Sequence, residues 1–493
     1  MSNPANAVSN CLERNRSRVA IIDGDVTLTY GQLFDYARDV ARYMTRSQSP
    51  EGSITAILCT RYSMAVTVLL GCVLAGHPYL PLAPGTPAAM VLRQMRNAGA
   101  RSLVTDDDLP LGLASAVSHS THPEGTLGFH TLMQPAASPS TSNAASSPQW
   151  VYALYTSGSS GNPKCVPHDW HDICSMVTSY SDAIGLHPDD RVASFASFGH
   201  DAAVVDVFST LLNGATLIPA NSRSPLTLLR SARRMITLGA TVWHCVPTVL
   251  DLLADHLPSS SMNDRKVILG GEPVRCATLK RIWSQSPKTQ FFSLYGQTEC
   301  SVISGSWIAS DTSDTSTLGL PLDGVQWCAR SDIPGASRLW VSFPASATHR
   351  IIDGRFIRIH ASGQWYDTGD LVETKGDSFV FVGRNDQVVN VAGYRVDLLE
   401  IERYVNQVPG VLDAVVVARP GSDGTTSIGC VLHSDRDDVP ITEINSFLEL
   451  HLPRRHLLTD VLCLDHSLPQ TLSGKRDRRG ASALLSARPI GHL

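Results

Sequence analysis

Apolar residues along the chain recur at two periods, and the switches between them lay out an alternation of strands and helices. Val19 to Asp25 and Leu28 to Tyr30 read as short strands joined by a turn at Gly24, and Gly31 to Thr45 then carries apolar residues at helical spacing. Ser53 to Thr60 alternates as a strand. Met64 to Leu74 is apolar enough for a buried helix, which Ala75-Gly76 would stop. The alternation continues through Thr105, the order that yields a largely parallel sheet. Further strands are expected from Trp150 to Tyr155, Arg191 to Phe195 and Val267 to Leu269. Near the end, a helix over Glu400 to Gln407, strands over Ala414 to Ala418 and Gly429 to His433, and a helix over Ile441 to His451 outline a small α+β unit. Pro135 to Pro148, dense in Ser, Ala, Pro and Asn, reads as a surface loop.

With 493 residues the chain exceeds the usual size of one core, so two or more domains are expected. Its 43% hydrophobic and 17% charged residues are ordinary for a globular protein. A net charge of −5 offers no basic footprint for nucleic acid. The eleven cysteines form no C-x-x-C pair, and their odd number fits reduced thiols and a cytoplasmic setting. The first eighteen residues lack an apolar signal region, and the longest apolar run, Ala65 to Gly76, falls short of the ~20 residues a membrane span needs. No membrane partner is expected. His119/His122 and His168/His171 stand three apart in polar stretches without zinc-ligand company, and read as surface histidines.

The most informative stretch follows the strand ending at Tyr155: Thr156-Ser157-Gly158-Ser159-Ser160-Gly161-Asn162-Pro163-Lys164. Two glycines let the backbone turn its N–H groups toward one point, four hydroxyls add donors, and Lys164 adds a mobile positive charge. That chemistry suits polyphosphate. The spacing is not that of a Walker A loop, because Asn162 and Pro163 separate the second glycine from the lysine. A flexible serine-glycine turn is the alternative on composition alone.

Tyr155 to Lys164 resembles the signature loop of adenylate-forming enzymes, which include acyl-CoA synthetases, luciferases and the adenylation domains of nonribosomal peptide synthetases. Further matches follow in family order from Leu28 to Arg478: Leu28-Thr29-Tyr30-Gly31-Gln32-Leu33, Leu74 to Leu82, Ser197 to Asp206, Leu294-Tyr295-Gly296-Gln297-Thr298-Glu299, Tyr366 to Leu371, Gly383 to Glu402, and Leu468 to Arg478. Departures occur at His200 and Gln297, where peptide synthetases usually carry Phe and Pro, and over Ser337 to His349, where only Arg338 to Val341 survives as a strand. The resemblance implies an α/β fold: a large N-terminal domain, 1–385, of mixed and parallel sheets with a small β-barrel-like subdomain, and a small mobile C-terminal α+β domain, 386–493, hinged at Asp386.

It also implies roles. ATP would be held by Thr156, Ser157, Gly158, Ser159, Ser160, Gly161, Gly271, Glu272, Gly296, Thr298 and Arg384, with Tyr295 stacking on adenine and Asp370 holding the ribose hydroxyls. Glu299 would bind Mg²⁺, which prefers one or two carboxylates plus phosphate oxygens. Lys475 and Lys164 would supply positive charge to the reacting groups. Asp201 would pair with a substrate α-ammonium, although an aspartate at a helix start also serves as a cap. The side-chain pocket would be lined by Ala202, Val205, His244, Ile268, Gly270, Leu294, Val302 and Ile303, neutral apart from His244, which disfavours a charged substrate side chain. The expected activity is ATP-dependent conversion of a neutral apolar amino acid to aminoacyl-AMP, then transfer to the phosphopantetheine thiol of a peptidyl carrier protein supplied in trans, since no carrier serine motif follows Lys475. An acyl- or aryl-CoA synthetase is the nearest alternative, and a non-catalytic nucleotide-binding scaffold a further one.

Overall fold

The computed structural model describes residues 3–46, 53–106, 117–121, 128–132, 150–156, 164–221, 224–272, 274, 276–312, 315–333, 336–343, 348–352, 355–360, 363–384, 388–391, 394–420, 425–436, 439–466, 468–469 and 478–486. The chain divides into two compact units, the larger built from Met1–Pro84, Leu92–Tyr155 and Cys165–Gly383, the smaller chiefly from Arg384–Leu493.

Local signals set the elements of the larger unit. Tyr62–Ala75 is helical with every residue from Ala65 to Val73 buried, and it stops where Gly76 turns left-handed at φ 68°. Asp169 and Asp172 form a reciprocal capping box that opens the helix Trp170–Ile184, which Gly185 ends at φ 59°. Six parallel strands form the centre of a nine-stranded sheet, in the spatial order Val19–Asp23, Thr216–Pro219, Arg191–Ser194, Val242–Cys245, Lys266–Gly270, Gln290–Gln297. Antiparallel strands close both sides, Val26–Thr29 at one and Ser301–Ile308 then Leu320–Pro321 at the other.

A second nine-stranded sheet contains Trp150–Thr156 and Lys164–Asp169 and ends on the hairpin Thr348–Ile352/Arg355–His360. The region expected to be barrel-like is a four-stranded sheet in the linear order Gln326–Ile333, Ala336–Ser342, Trp365–Lys375, Ser378–Arg384. All eleven cysteines are free. No helix among the described residues is long and apolar enough to cross a membrane.

The smaller unit has a sheet of Val411–Pro420, Thr426–Ser434 and Asp460–Leu464. Leu398–Val405 and Ile441–Glu449 bury Ile401, Val405, Ile444 and Leu448 with one face of it. Arg478–Ser486 covers the other face through Ala481 and Leu485.

His456 sits buried in this unit, and its Nδ1 makes no hydrogen bond to a described residue. Burial, with the neighbouring Arg455 charge, lowers its pKa from 6.5 to about 3. The unfolded chain therefore takes up a proton near pH ~6.5 that the folded unit refuses until about pH 3. Stability from this group is complete above pH ~6.5 and is lost as pH falls toward 3. Thermal unfolding of the full chain between pH 7.5 and 4 should show a falling midpoint, with a shallower fall in His456→Gln; equal slopes would contradict the assignment.

Candidate functional site

The site is organised by a three-residue turn. Strands Gln290–Gln297 and Ser301–Ile308 pair antiparallel, so Thr298, Glu299 and Cys300 alone connect them. Ser301 adopts φ 56°, the left-handed residue that closes such a hairpin, and the Cys300 N–H donates to the Gln297 carbonyl at 3.0 Å. A Cβ on Gly296 would lie 2.2 Å from the Ser301 carbonyl oxygen, so only glycine fits there. Gln297, Thr298 and Glu299 are consequently held, mostly buried, in one fixed backbone arrangement.

Three distant segments are bonded to this turn. The Thr298 hydroxyl donates to Asp201 Oδ2 at 2.7 Å, and the Ala202 N–H donates to Asp201 Oδ1 at 2.8 Å. Asp201 is the first residue of the helix Asp201–Leu212, whose N-cap is His200; the carboxylate is thus not the N-cap but lies where the helix dipole favours negative charge. The Thr298 carbonyl accepts from His168 Nε2 at 2.8 Å. Contrary to its expected surface position, His168 is only 4% exposed, stacked on Tyr152 with ring centroids 4.8 Å apart. The reason is that Cys165, Val166 and Pro167 before it are buried, carrying the strand inward despite the polar residues that follow. His171 is partly buried, His119 lies in the strand Val117–Thr121, and His122 is outside the described residues.

The third tether is Gln297, whose Nε2 donates to Asp370 Oδ2 at 2.6 Å and to the Thr368 carbonyl at 3.0 Å. The Tyr295 hydroxyl donates to the same Asp370 oxygen. Asp370 is 2% exposed, and its own N–H donates to Thr368 Oγ1 at 3.1 Å. Gln297 therefore fixes the acid expected to hold ribose. Nearby on the strand ends, Gly271 turns left-handed at φ 83°, and Glu272 Oε2 accepts from the Thr248 N–H at 2.9 Å and hydroxyl at 2.6 Å. Glu272 thereby satisfies the first turn of the helix Pro247–His256.

Most of the expected pocket residues share one face of the first sheet. Val205, Ile268, Leu294 and Val302 belong to one core cluster, whereas Trp243, Cys245, Val267, Leu269 and Phe291 pack on the opposite face. His244 alternates with Trp243 and Cys245 and is paired in register with Ile268, so it shares the face of the first group. Gly270 pairs with Leu294, and a Cβ on it would come 3.2 Å from the Leu294 carbonyl oxygen. Ala202 is half-buried on the helix start. Ile303 is not brought together with these residues: it is fully buried in a separate cluster with Leu318, Leu339 and Val341, because it alternates with Val302.

Lys164 is the first residue of the strand Lys164–Asp169 and half-buried. Thr156 ends the strand Trp150–Thr156 and Arg384 ends Ser378–Arg384. Ser157, Gly158, Ser159, Ser160, Gly161, Asp386 and Lys475 lie outside the described residues.

Residues 8–332 match the model of the AMP-binding enzyme family. The chain belongs to that family. By that match it is an AMP-binding enzyme. Relatives of this AMP-binding enzyme include the isonitrile lipopeptide synthase of Streptomyces coeruleorubidus, 30% identical over 94% of the chain and 32% of that protein. A linear gramicidin synthase of Brevibacillus parabrevis is 29% identical over 95% of the chain. The chain spans only 9% of that second protein. The fold matches a Vibrio cholerae adenylation domain solved with glycyl-adenosine-5'-phosphate, at TM-score 0.80, 20% identity and 99% and 98% coverage of the two chains. It also matches the o-succinylbenzoate CoA synthetase of Bacillus subtilis, at TM-score 0.79, 20% identity and 99% coverage of each.

Gln297→Leu keeps the side-chain volume of this AMP-binding enzyme but leaves the Asp370 carboxylate and the Thr368 carbonyl short of a donor. Stability should fall by about 1–3 kcal/mol, and the KM for ATP should rise more than the KM for the carboxylic substrate. An unchanged KM for ATP would show that Gln297 does not position Asp370.

Proposed function

We propose that the enzyme couples a neutral apolar amino acid and ATP to aminoacyl-AMP and pyrophosphate, and passes the aminoacyl group to the phosphopantetheine thiol of a carrier protein. The observation that carries this reading is the Asp201 carboxylate, held at a helix start by the Thr298 hydroxyl and the Ala202 N–H. A partly buried carboxylate oriented in this way suits an α-ammonium, because a cation leaving water needs a paired charge. The apolar face of Val205, Ile268, Leu294 and Val302 supports an uncharged side chain. A nonribosomal peptide synthetase of Aspergillus rugulosus among the relatives supports the carrier step.

In the first half-reaction a substrate carboxylate oxygen forms a bond to the α-phosphorus as the bond to pyrophosphate breaks. Like charges meet, so catalysis is positioning and neutralisation. Tyr295 would pack on adenine and Asp370 accept the ribose hydroxyls, while Lys475 and Lys164 would bring positive charge to the carboxylate and phosphates. Glu299 fits magnesium: one carboxylate suffices when phosphate oxygens complete the shell. When bound, the ion would neutralise phosphate charge. Rotation at Asp386 would then expose the adenylate to the thiol.

The second reading, an acyl- or aryl-CoA synthetase, draws on His200 and Gln297. Asp201→Ala separates the two, because only an amino acid loses an ion-pair partner. Pyrophosphate exchange should weaken at least tenfold for the amino acid and far less for its deaminated counterpart; equal loss of both would favour the CoA-synthetase reading. Lys475→Ala should abolish exchange while ATP still binds, and wild-type exchange in that variant would contradict the mechanism. Asp386→Pro fixes φ at the hinge and should slow the two half-reactions unequally; unchanged rates in both would remove the hinge from the account.

A further inference from the structure

On the same side of the sheet as the apolar face lies a buried histidine–aspartate pair. His244 Nδ1 is 2.6 Å from Asp206 Oδ1, and Asp206 is 1% exposed on the inward side of the helix Asp201–Leu212. Asp206 Oδ2 is buried and makes no hydrogen bond to a described residue. The hydroxyls of Tyr62 and Tyr180 are also buried, and the Asp206 charge, after burial, helps push both phenols up. His244 is therefore the one hydrogen-bond partner of this carboxylate among the described residues. A charge buried with a single partner fixes that partner's ring, since turning the imidazole away would leave Asp206 uncompensated. Burial alone would lower the His244 pKa, but the Asp206 charge and hydrogen bond, with a smaller contribution from Asp201, raise it overall.

With Nδ1 committed to Asp206, the other ring nitrogen, Nε2, makes no hydrogen bond to any described residue. The ring shares the sheet face of Ile268 and Leu294, and its far side is limited by Tyr180, whose ring centroid is 6.0 Å away. An N–H that a bound side chain seals from water without offering an acceptor costs about 1–3 kcal/mol. An apolar side chain packed on it would incur that cost.

We propose that Asp206 is a positioning residue that makes His244 a fixed donor at the end of the substrate pocket, so that the preferred amino acid carries an uncharged hydrogen-bond acceptor, a hydroxyl or carboxamide oxygen, on its side chain. This rests on the amino-acid reading of the site and changes one part of it: the side chain stays uncharged but is tipped by a polar acceptor instead of being wholly apolar. The pair is neutral as a whole, so a neutral acceptor satisfies Nε2–H without adding an unbalanced charge.

The test is pyrophosphate exchange on the full chain with near-isosteric pairs: threonine and valine, asparagine and leucine, glutamine and methionine, tyrosine and phenylalanine. Wild type should prefer the acceptor-bearing member of at least one pair by about 10- to 100-fold in kcat/KM, a range set by one unpaired donor. Asp206→Asn and His244→Phe should bring that ratio close to one, chiefly by raising KM for the acceptor-bearing member, while His244→Gln, which keeps a donor, restores part of it. Imidazole ¹⁵N spectra of the wild-type enzyme should show His244 doubly protonated at neutral pH, a readout available even if the variants fold poorly. Preference for the apolar member of every pair, a ratio unmoved in Asp206→Asn, or a singly protonated His244 would overturn the proposal. Exchange with no amino acid at all would overturn instead the reading on which it rests.

Discussion

Everything proposed for this site depends on the Gln297–Cys300 turn being unable to move. Ser301 in the left-handed region and the close approach at Gly296 fix its backbone, and side-chain bonds then fasten it to three parts of the larger unit. Thr298 holds the helix start at Asp201 and receives His168 from the second sheet, while Gln297 and Tyr295 hold Asp370. Each bond is modest by itself, about 0.5–1.5 kcal/mol, or more when a carboxylate accepts. Their joint effect is geometric: the acid expected to meet an ammonium and the acid expected to meet a ribose are both referred to one rigid element. Reactions that proceed by positioning reward this arrangement.

The acids around the site are each treated differently by the larger unit. Asp201 is hydrogen-bonded at a helix N-terminus and only half-buried, which suits a ligand group. Asp370 is buried against neutral donors, whereas Asp206 is buried against an imidazole. Glu272 is committed to the Thr248 N–H and hydroxyl. Solvation and partner choice, more than position along the motifs, separate acids that hold structure from those available to a substrate.

Local pattern makes the elements legible. The helix ending at Gly76, the short strands about Gly24 and the small α+β unit all follow from period and turn chemistry acting within a few residues. Contacts between residues far apart in sequence are not legible in this way. Thr298 and Asp201 are 97 positions apart, and nothing in either neighbourhood announces the bond. His168 reads as exposed because the polar residues after it outweigh the buried Cys165 to Pro167 before it. Asp206 reads as one residue of a motif, since an acid on a helix shows its value only when the partner strand brings His244 beside it. Ile303 shows the reverse failure: it adjoins Val302 in sequence, but strand alternation sends it to another cluster.

The central claim is that the oriented Asp201 carboxylate makes this a site for amino acids. ATP–pyrophosphate exchange by the wild-type enzyme across amino acids and their deaminated counterparts tests it most directly, because the two members of each pair differ only at the ammonium group. The account predicts exchange with a neutral amino acid and near-background exchange with the matching deaminated acid. Equal or faster exchange with the deaminated acid would contradict it.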